Sequence, residues 1–147
     1  MNETETKTTT KDLRGAGGEA IAKEAALTLF RKKGIGIRLF RVEDTTVIAD
    51  YYVICTGRAS SHILALADEV TYHMGECGVP HYRTEGRDGG EWLLVDFGDV
   101  LVHIFSRDAR EYYNLERLLN PGGEIALGDL FEEELHKREA GGQKDEI

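Results

Sequence analysis

Long apolar runs, paired cysteines and targeting segments are all scarce in this sequence. No stretch of about 18 apolar residues occurs, so a membrane-spanning helix is excluded. The only cysteines, Cys55 and Cys77, form no CxxC motif. We therefore expect reduced, buried thiols, not a disulfide or a metal site. The N-terminal MNETETKTTTKDLRG lacks the apolar core of a secretion signal, and we expect a cytoplasmic protein.

Positive charge is also in short supply. The 147 residues carry 27 acidic and 18 basic side chains, which gives a net charge of -9. Proteins that neutralise phosphates usually display basic clusters. We therefore expect no direct sequence-specific nucleic-acid binding, and a basic protein is the better partner. The length suits a single domain, and 41% hydrophobic with 31% charged residues is an ordinary globular composition.

Three helices and five strands are predicted from apolar periodicity and from turn residues. In chain order they are a helix over 18–34, strands over 35–42 and 47–57, a helix capped by Ser60 or Ser61 and ending before Gly78, a strand over 81–86, two strands within 90–106, and a helix from an Asp108/Glu111 capping box to Asn120. This order predicts an α/β fold with a mixed sheet of about five strands flanked by helices.

The chain is predicted to divide into three parts. Residues 1–17 are polar and rich in threonine, which is typical of a flexible tail. Residues 18–120 form a single α/β domain, and residues 121–147 form an acidic C-terminal extension. We expect this extension to be a solvated tail, although Leu130, Phe131 and Leu135 leave a short amphipathic helix as an alternative.

The stretch GEWLLVDFGDVLVHIFS, residues 90–106, is predicted to be a β-hairpin. Gly98 and Asp99 suit the two central positions of a type II′ turn, because glycine accepts the positive φ of the first one. This register places Phe97 opposite Val100 on a wholly apolar side of the hairpin. Phe97 is therefore expected to point into the core.

Asp96 and His103 raise the question of catalysis, because the same register makes them diagonal neighbours within reach of a hydrogen bond. A metal site needs three or four converging ligands, and no H-x-x-H, H-E-x-x-H or D-x-D spacing accompanies this pair. Nucleophilic catalysis needs an activated Ser or Cys beside a base. We predict a structural role for Asp96, Asp99 and His103, and no catalytic residue, cofactor or metal.

The segment TGRASSH, residues 56–62, offers a second candidate site. It is predicted to be a strand end, a glycine and a helix start, where free backbone amides can hold a phosphate. Neither a GxGxxG pattern nor a Walker lysine is present. A nucleotide-binding or nucleotidyltransferase-like enzyme is therefore the alternative function, and His62 is expected to be a surface residue of the first helical turn.

Two aromatic residues are candidates for an interface. Trp92, the only tryptophan, lies beside Gly89-Gly90. Tyr113 falls on the flank of the last predicted helix, whose apolar stripe would contain Tyr112. Exposed Trp and Tyr ringed by charge are the residues that dominate protein interfaces. The alternative is that each simply packs on its neighbours.

Five blocks of the sequence, read together, resemble one known family. They are ADYYVICTG (49–57), SSHILALADEV (60–70), EG (85–86), W-x3-DFGDVLVHIF (92–105) and R-x2-YNLERL (110–118). In this order and spacing they closely resemble the ribosomal silencing factor family, the Iojap-related proteins. The resemblance covers roughly residues 18–119.

This resemblance implies a binding protein that is not an enzyme. Family members dock on the fourteenth large-subunit ribosomal protein and block joining of the small subunit, which restrains translation when nutrients are scarce. They are typically homodimers, and their fold is similar to that of nucleotidyltransferases. The paired D-x-D carboxylates that the catalytic version of that fold requires are missing from this sequence.

The matched motifs also imply which residues contact the ribosomal protein. Carried over block by block, they are Trp92, Asp96, Phe97 and Tyr113. Where family members commonly have a tryptophan after the last leucine pair of the third helix, this chain has Asn120. We expect that difference to weaken or reshape one edge of the interface.

Overall fold

A computed structural model describes residues 11–146 of the chain, and the side chains of residues 11–139. In chain order the helices and strands are α1 (Gly18–Arg31), β1 (Ile35–Arg41), β2 (Tyr51–Thr56), α2 (Ser60–Glu76), β3 (Arg83–Glu85), β4 (Trp92–Asp96), β5 (Val100–Phe105), α3 (Arg107–Tyr113), β6 (Glu124–Ile125) and α4 (Gly128–Glu146). Two short 3-10 turns, Leu115–Leu118 and Pro121–Gly123, lie between α3 and β6. Among the helices described, none is both long enough and apolar enough to cross a membrane.

The strands form one mixed sheet in the order β3-β4-β5-β2-β1-β6. The two central strands, β2 and β5, run parallel to each other, and the other neighbouring pairs are antiparallel. Every residue of β2 and β5 is buried, because helices or turns cover both faces of the sheet there. The predicted α/β fold with a mixed sheet is confirmed, with six strands where about five were expected.

Apolar side chains form one core on each face of the sheet. The first core lies beneath α1, α2 and the start of α4 and includes Val53, Phe97 and Val102. The second lies beneath α3 and the following 3-10 turn and includes Phe40 and Phe105. Both cysteines are buried, as predicted, and they lie in the first core.

The predicted strand over 47–57 begins later than expected. Residues 47–50 form a loop, and β2 starts at Tyr51. The neighbouring strand β1 ends at Arg41, so residues 47–50 have no β1 residues to pair with. The side chain of Val47 is fully exposed, which shows that a β-branched residue alone does not make a strand.

The third helix differs from its prediction at both ends. It begins after Ser106, whose Oγ accepts a hydrogen bond from the Ala109 backbone N–H at 3.1 Å, so the predicted capping box at Asp108 is wrong. It ends at Tyr113, because Asn114 adopts the left-handed conformation with φ 47°. Tyr112, predicted to lie on the buried stripe, is 81% exposed.

The start of the C-terminal extension packs on the domain, and the prediction of a solvated tail is wrong there. Leu127 is buried in the first core. The ring of Phe131 stacks on Phe30 of α1 with centroids 4.2 Å apart. Glu134 forms an ion pair with Arg31 at 3.0 Å. The alternative of an amphipathic helix is correct for the start of α4, where Leu130 and Phe131 pack on the first core. The helix is longer than the short one predicted, and Leu135 is 45% exposed.

The first ten residues of the predicted N-terminal tail, 1–10, lie outside the described residues. Leu13, within the same predicted tail, is buried in the first core. Its backbone N–H donates a hydrogen bond to the carbonyl oxygen of Cys77 at 2.8 Å. The division of the chain at residues 17 and 120 stays a prediction.

Candidate functional site

The hairpin of β4 and β5 has the predicted register. Val95 pairs with Val102, and the backbone N–H of Phe97 donates to the carbonyl oxygen of Val100 at 2.9 Å. Gly98 has φ +92°, the conformation that the first position of the turn requires. Phe97 is buried against the first core, as the register predicted.

Asp96 holds the hairpin together and does not contact His103. One carboxylate oxygen accepts a hydrogen bond from the Gly98 backbone N–H at 2.7 Å. The other accepts from the Arg83 guanidinium of the edge strand β3 at 3.0 Å. No hydrogen bond joins Asp96 to His103 among the described contacts. Both carboxylate oxygens of Asp96 instead bond within the hairpin and to β3, which is the structural role predicted for this residue.

His103 bonds instead to the indole of Trp92. The Trp92 Nε1–H donates to His103 Nδ1 at 3.1 Å, so the ring proton of the neutral histidine is on Nε2. Burial lowers the pKa of His103 to about 4, because a charged ring would lose its hydration. The side chain is neutral near pH 7 and is unsuited to acid–base chemistry at that pH.

Trp92 lies at the centre of an aromatic surface, which we define as Trp92, Tyr112 and Tyr113. The Trp92 ring is half-buried and packs on Phe105 and Tyr113, with centroids 4.8 and 4.9 Å away. Tyr113 is 49% exposed, and Tyr112 lies edge-on to it at 5.0 Å. Both sequence interpretations hold for Trp92: it packs on its neighbours, and part of its ring remains accessible.

Carboxylates border the aromatic surface on two sides. A shallow cavity lined by Glu85, Gly86, Trp92 and Leu94 lies on one side. A second, lined by Glu91, Asp108, Ala109, Tyr112 and Tyr113, lies on the other. Glu85, Glu91 and Asp108 are all exposed, so the accessible aromatic rings lie beside carboxylates, of which Glu85 is paired with the Arg83 guanidinium.

Comparison with known proteins identifies the family. A model described as "Ribosomal silencing factor during starvation" matches residues 17–146. The chain belongs to the ribosomal silencing factor family. The ribosomal silencing factor of Bacillus subtilis is 38% identical over 112 residues, which are 76% of this chain and 92% of that protein. The one from Haemophilus influenzae is 40% identical over 91 residues, 62% of this chain and 89% of that protein.

A solved structure agrees with this assignment. The crystal structure of protein CV0518 from Chromobacterium violaceum is similar with a TM-score of 0.67 and 34% sequence identity, and the match covers 74% of this chain and 88% of that one. The resemblance to the silencing factor family seen in the five sequence blocks is thereby confirmed. The further likeness to nucleotidyltransferases stays an expectation.

In this family member, hydrogen bonds of His62 and close packing at Gly57 hold the turn over residues 57–62. His62 Nδ1 accepts from the Arg58 backbone N–H, and its Nε2 donates to the Lys32 carbonyl oxygen, both at 2.9 Å. A Cβ on Gly57 would lie 2.7 Å from Ile63 Cγ1, so close packing of α2 on the strand requires this glycine. The N-cap of α2 is Ala59, and neither Ser60 nor Ser61 caps the helix among the described side chains, contrary to our prediction.

Other parts of the surface could not be located by sequence motifs. The apolar pattern predicts Tyr112 on the buried face of its helix, but the residue is exposed. Nothing in the sequence pattern brings Glu91 beside α3. The link is a hydrogen bond from Ser106 Oγ to Glu91 Oε1 at 2.5 Å. Asn120, where the family resemblance implies a tryptophan, donates from its amide to Asp44 at 3.3 Å. Its effect on binding stays a prediction.

Proposed function

We propose that this chain is a silencing factor that binds the large ribosomal subunit through the fourteenth large-subunit ribosomal protein. The bound chain occupies space that the small subunit needs, blocks joining of the two subunits, and so represses translation. The observation that carries the proposal is the aromatic surface with its bordering carboxylates in a chain of this family. Blocking the subunit joining requires only that the protein binds the large subunit and is bulky enough to exclude the small one. It requires no chemical step.

Trp92 and Tyr113 are the proposed anchors. A tryptophan held by its own hydrogen bond and by two ring contacts loses little conformational freedom on binding. Rigid Trp and Tyr side chains of this kind supply most of the binding free energy in many interfaces. Asp96 and Phe97 contribute by fixing the hairpin, because the carboxylate of Asp96 holds the turn and the ring of Phe97 is buried beneath it.

The charge of the chain suits a basic partner. The net charge is -9, and Glu85, Glu91 and Asp108 are exposed beside the anchors. Complementary charge speeds the encounter of two proteins and penalises wrong partners. A basic ribosomal protein meets both requirements, and we expect the association rate to fall as the salt concentration rises.

The polar residues of the hairpin support binding over catalysis. His103 is buried and neutral, and both carboxylate oxygens of Asp96 are engaged by the turn and by β3. We propose that the protein is not an enzyme and is a homodimer when free, as the family resemblance implies, and that it acts in the cytoplasm, as expected from its N-terminal sequence. Size-exclusion chromatography with light scattering tests the dimer.

The experiment is co-sedimentation of the purified protein with separated large and small subunits, followed by subunit joining measured by light scattering. We expect comigration with the large subunit alone and slower joining. Tyr113→Ala should weaken binding by about 30-fold, since hot-spot residues cost about 2 kcal/mol or more. Trp92→Ala should weaken it at least as much, with circular dichroism used to confirm that the variant is folded.

The matched control is Tyr72→Ala. Tyr72 is an exposed tyrosine of α2, on the opposite face of the sheet from the aromatic surface, and its loss should leave binding unchanged. Equal weakening by Tyr72→Ala and Tyr113→Ala would contradict the proposed surface. No comigration of the unmodified protein would contradict the partner, and thermal shift with nucleotides and Mg²⁺ would then test the enzyme alternative.

A further inference from the structure

Three side chains with metal-ligating atoms meet on the face of the sheet opposite the aromatic surface. Glu24 is on α1, His73 is in the last turn of α2, and Cys77 directly follows that helix. Their nearest carboxylate oxygen, ring nitrogen and sulfur atoms lie within 4.8 Å of one another. No motif of the sequence predicted this cluster, because Glu24 is distant in the chain from the other two.

The spacing of these atoms is close to that of a tetrahedral zinc site. His73 and Cys77 are four residues apart and so share one helix face, with His73 Nε2 3.6 Å from Cys77 Sγ. Zinc bonds of about 2.0 Å to nitrogen and about 2.3 Å to sulfur place those two atoms about 3.5 Å apart. Glu24 Oε2 lies 2.7 Å from His73 Nε2 and would have to move to about 3.4 Å, a side-chain adjustment.

One carboxylate oxygen of Glu24, Oε1, makes no hydrogen bond among the described residues. Glu24 is only 3% exposed. The Lys11 ammonium lies 3.3 Å from that oxygen. This oxygen is therefore partnered by the ion pair with Lys11 and not by a hydrogen bond, and a metal ion bound by the carboxylate would replace that ion pair.

The nearby cations leave room for the metal. Lys11 has a side chain that is 60% exposed, so it can turn into solvent. Arg31 approaches Glu24 at 3.4 Å but is held more closely by Glu134, at 3.0 and 3.3 Å, and can stay there. A groove opens onto Glu24 and provides an entry path. Its lining carries four cations and two carboxylates, so the entering ion passes basic side chains before it reaches Glu24; the lining residues are Lys11, Glu24, Arg31, His73, Glu134, Lys137 and Arg138.

We propose that Glu24, His73 and Cys77 bind one zinc ion, with a water molecule as the fourth ligand. Carboxylate, imidazole and thiolate together are a donor set that zinc accepts. On binding, the thiol proton of Cys77 is released to the buffer. The proton that His73 Nε2 donates to Glu24 exchanges with solvent, so that the neutral ring carries its proton on Nδ1 and Nε2 is free to bind the metal. The Lys11 ammonium leaves Glu24. The two negative ligands balance the charge of the ion, and the bound metal ties α1 to the end of α2.

The test is a titration of the full chain, stripped of metal and kept reduced by a phosphine, with Co²⁺ as the probe. A thiolate-to-cobalt charge-transfer band in the near ultraviolet should grow to one equivalent and disappear when zinc is added. Zinc in excess should also raise the midpoint of thermal unfolding, because it binds only the folded chain. Neither readout depends on ribosome binding, so the zinc site and the proposed function can fail separately.

Two variants test the His73 and Cys77 ligands, and a third is their control. Cys77→Ser and His73→Gln should each abolish the charge-transfer band or shift its saturation to at least tenfold higher Co²⁺. Cys55→Ser, which removes the other buried thiol, should leave the band unchanged. His73 is partly exposed, so its variant should stay folded by circular dichroism. Absence of the band in the unmodified chain, or its loss in Cys55→Ser but not in folded His73→Gln, would overturn the proposal.

Discussion

The indole N–H of Trp92 donates a hydrogen bond of 3.1 Å to Nδ1 of the buried His103. The two residues are diagonal neighbours on adjacent strands, since Trp92 pairs with Phe105 and His103 pairs with Leu94. A partly exposed aromatic side chain is thus fixed by a polar group inside the sheet. The orientation of Trp92 depends on the protonation state of His103, because a protonated Nδ1 cannot accept the hydrogen bond.

Acid should destabilise the protein through His103. Its pKa is about 4 in the folded chain because of burial, against about 6.5 when unfolded. The unfolded state therefore binds the proton first, and the free energy of unfolding falls as the pH drops from about 6.5 to about 4. The loss is about 2 kcal/mol by about pH 5. Urea denaturation at several pH values measures it.

The His103→Gln variant removes this titration, and its free energy of unfolding should depend less steeply on pH by that amount. His81→Gln is the matched control, because it makes the same substitution at an exposed histidine. A wild-type slope equal to that of His103→Gln would show that His103 is not buried in its neutral form in solution.

Gly86 positions the backbone next to Trp92. It has φ +89°, and a Cβ at this position would collide with the carbonyl oxygen of Trp92. Gly86→Ala should therefore lower the free energy of unfolding by about 1–3 kcal/mol and weaken binding to the large subunit, because β4 has to shift. Urea denaturation and co-sedimentation measure the two effects.

The control is Gly89→Ala in the same loop. A Cβ at this position would lie 3.9 Å from the carbonyl oxygen of Gly86, an ordinary contact distance, and the φ of Gly89 is not in the positive range. We expect a change of no more than about 0.5 kcal/mol, typical of surface substitutions. Comparable losses in both variants would mean that the loop is simply intolerant of side chains, and that Gly86 has no particular effect on Trp92.

The hairpin was predictable from the sequence, and the contacts across it were not. Alternating apolar residues and Gly98 define the register, because one side must be buried and the turn needs a positive φ. The pairing of Trp92 with His103 depends on side-chain rotamers. The ring of Tyr52 lies edge-on to His103 at 4.5 Å and helps to set these rotamers. Tyr52 belongs to a strand that is distant in sequence.

The C-terminal helix and the last strand were also not predictable, because they depend on contacts with residues distant in the chain. The acidic composition of the extension suggested a solvated tail. Phe131 packs on Phe30, about a hundred positions earlier in the chain, and no local pattern reveals such a partner. Strand β6 has only two residues, Glu124 and Ile125, too few for an alternation to be recognised.

The cap of α3 can be tested directly, because sequence and structure assign it to different residues. Ser106 Oγ accepts from the Ala109 N–H at 3.1 Å, so Ser106→Ala should lower the free energy of unfolding by about 1 kcal/mol. Asp108→Ala should cost only a few tenths, through the helix dipole. Thermal unfolding compares the two variants, and a larger effect at Asp108 would favour the capping box that the sequence suggested.

The packing of α4 on α1 depends on the charge of Glu134, which is buried and paired with Arg31 at 3.0 Å. Glu134→Gln keeps the shape and removes the charge, which leaves the half-buried guanidinium with a weaker partner. Breaking a fully buried pair costs about 3–5 kcal/mol. Because a third of the Arg31 side chain is exposed and solvent screens it, we expect about 1–2 kcal/mol.

Glu133→Gln makes the same charge change one residue earlier, at an exposed position, and should alter the free energy of unfolding by no more than about 0.5 kcal/mol. The difference between the two variants should persist at about 1 M salt, because buried pairs are screened far less than surface pairs. Urea denaturation at low and high salt measures both. Equal effects would mean that α4 is not docked on α1 in solution, since the neighbouring glutamates differ only in whether they face that helix.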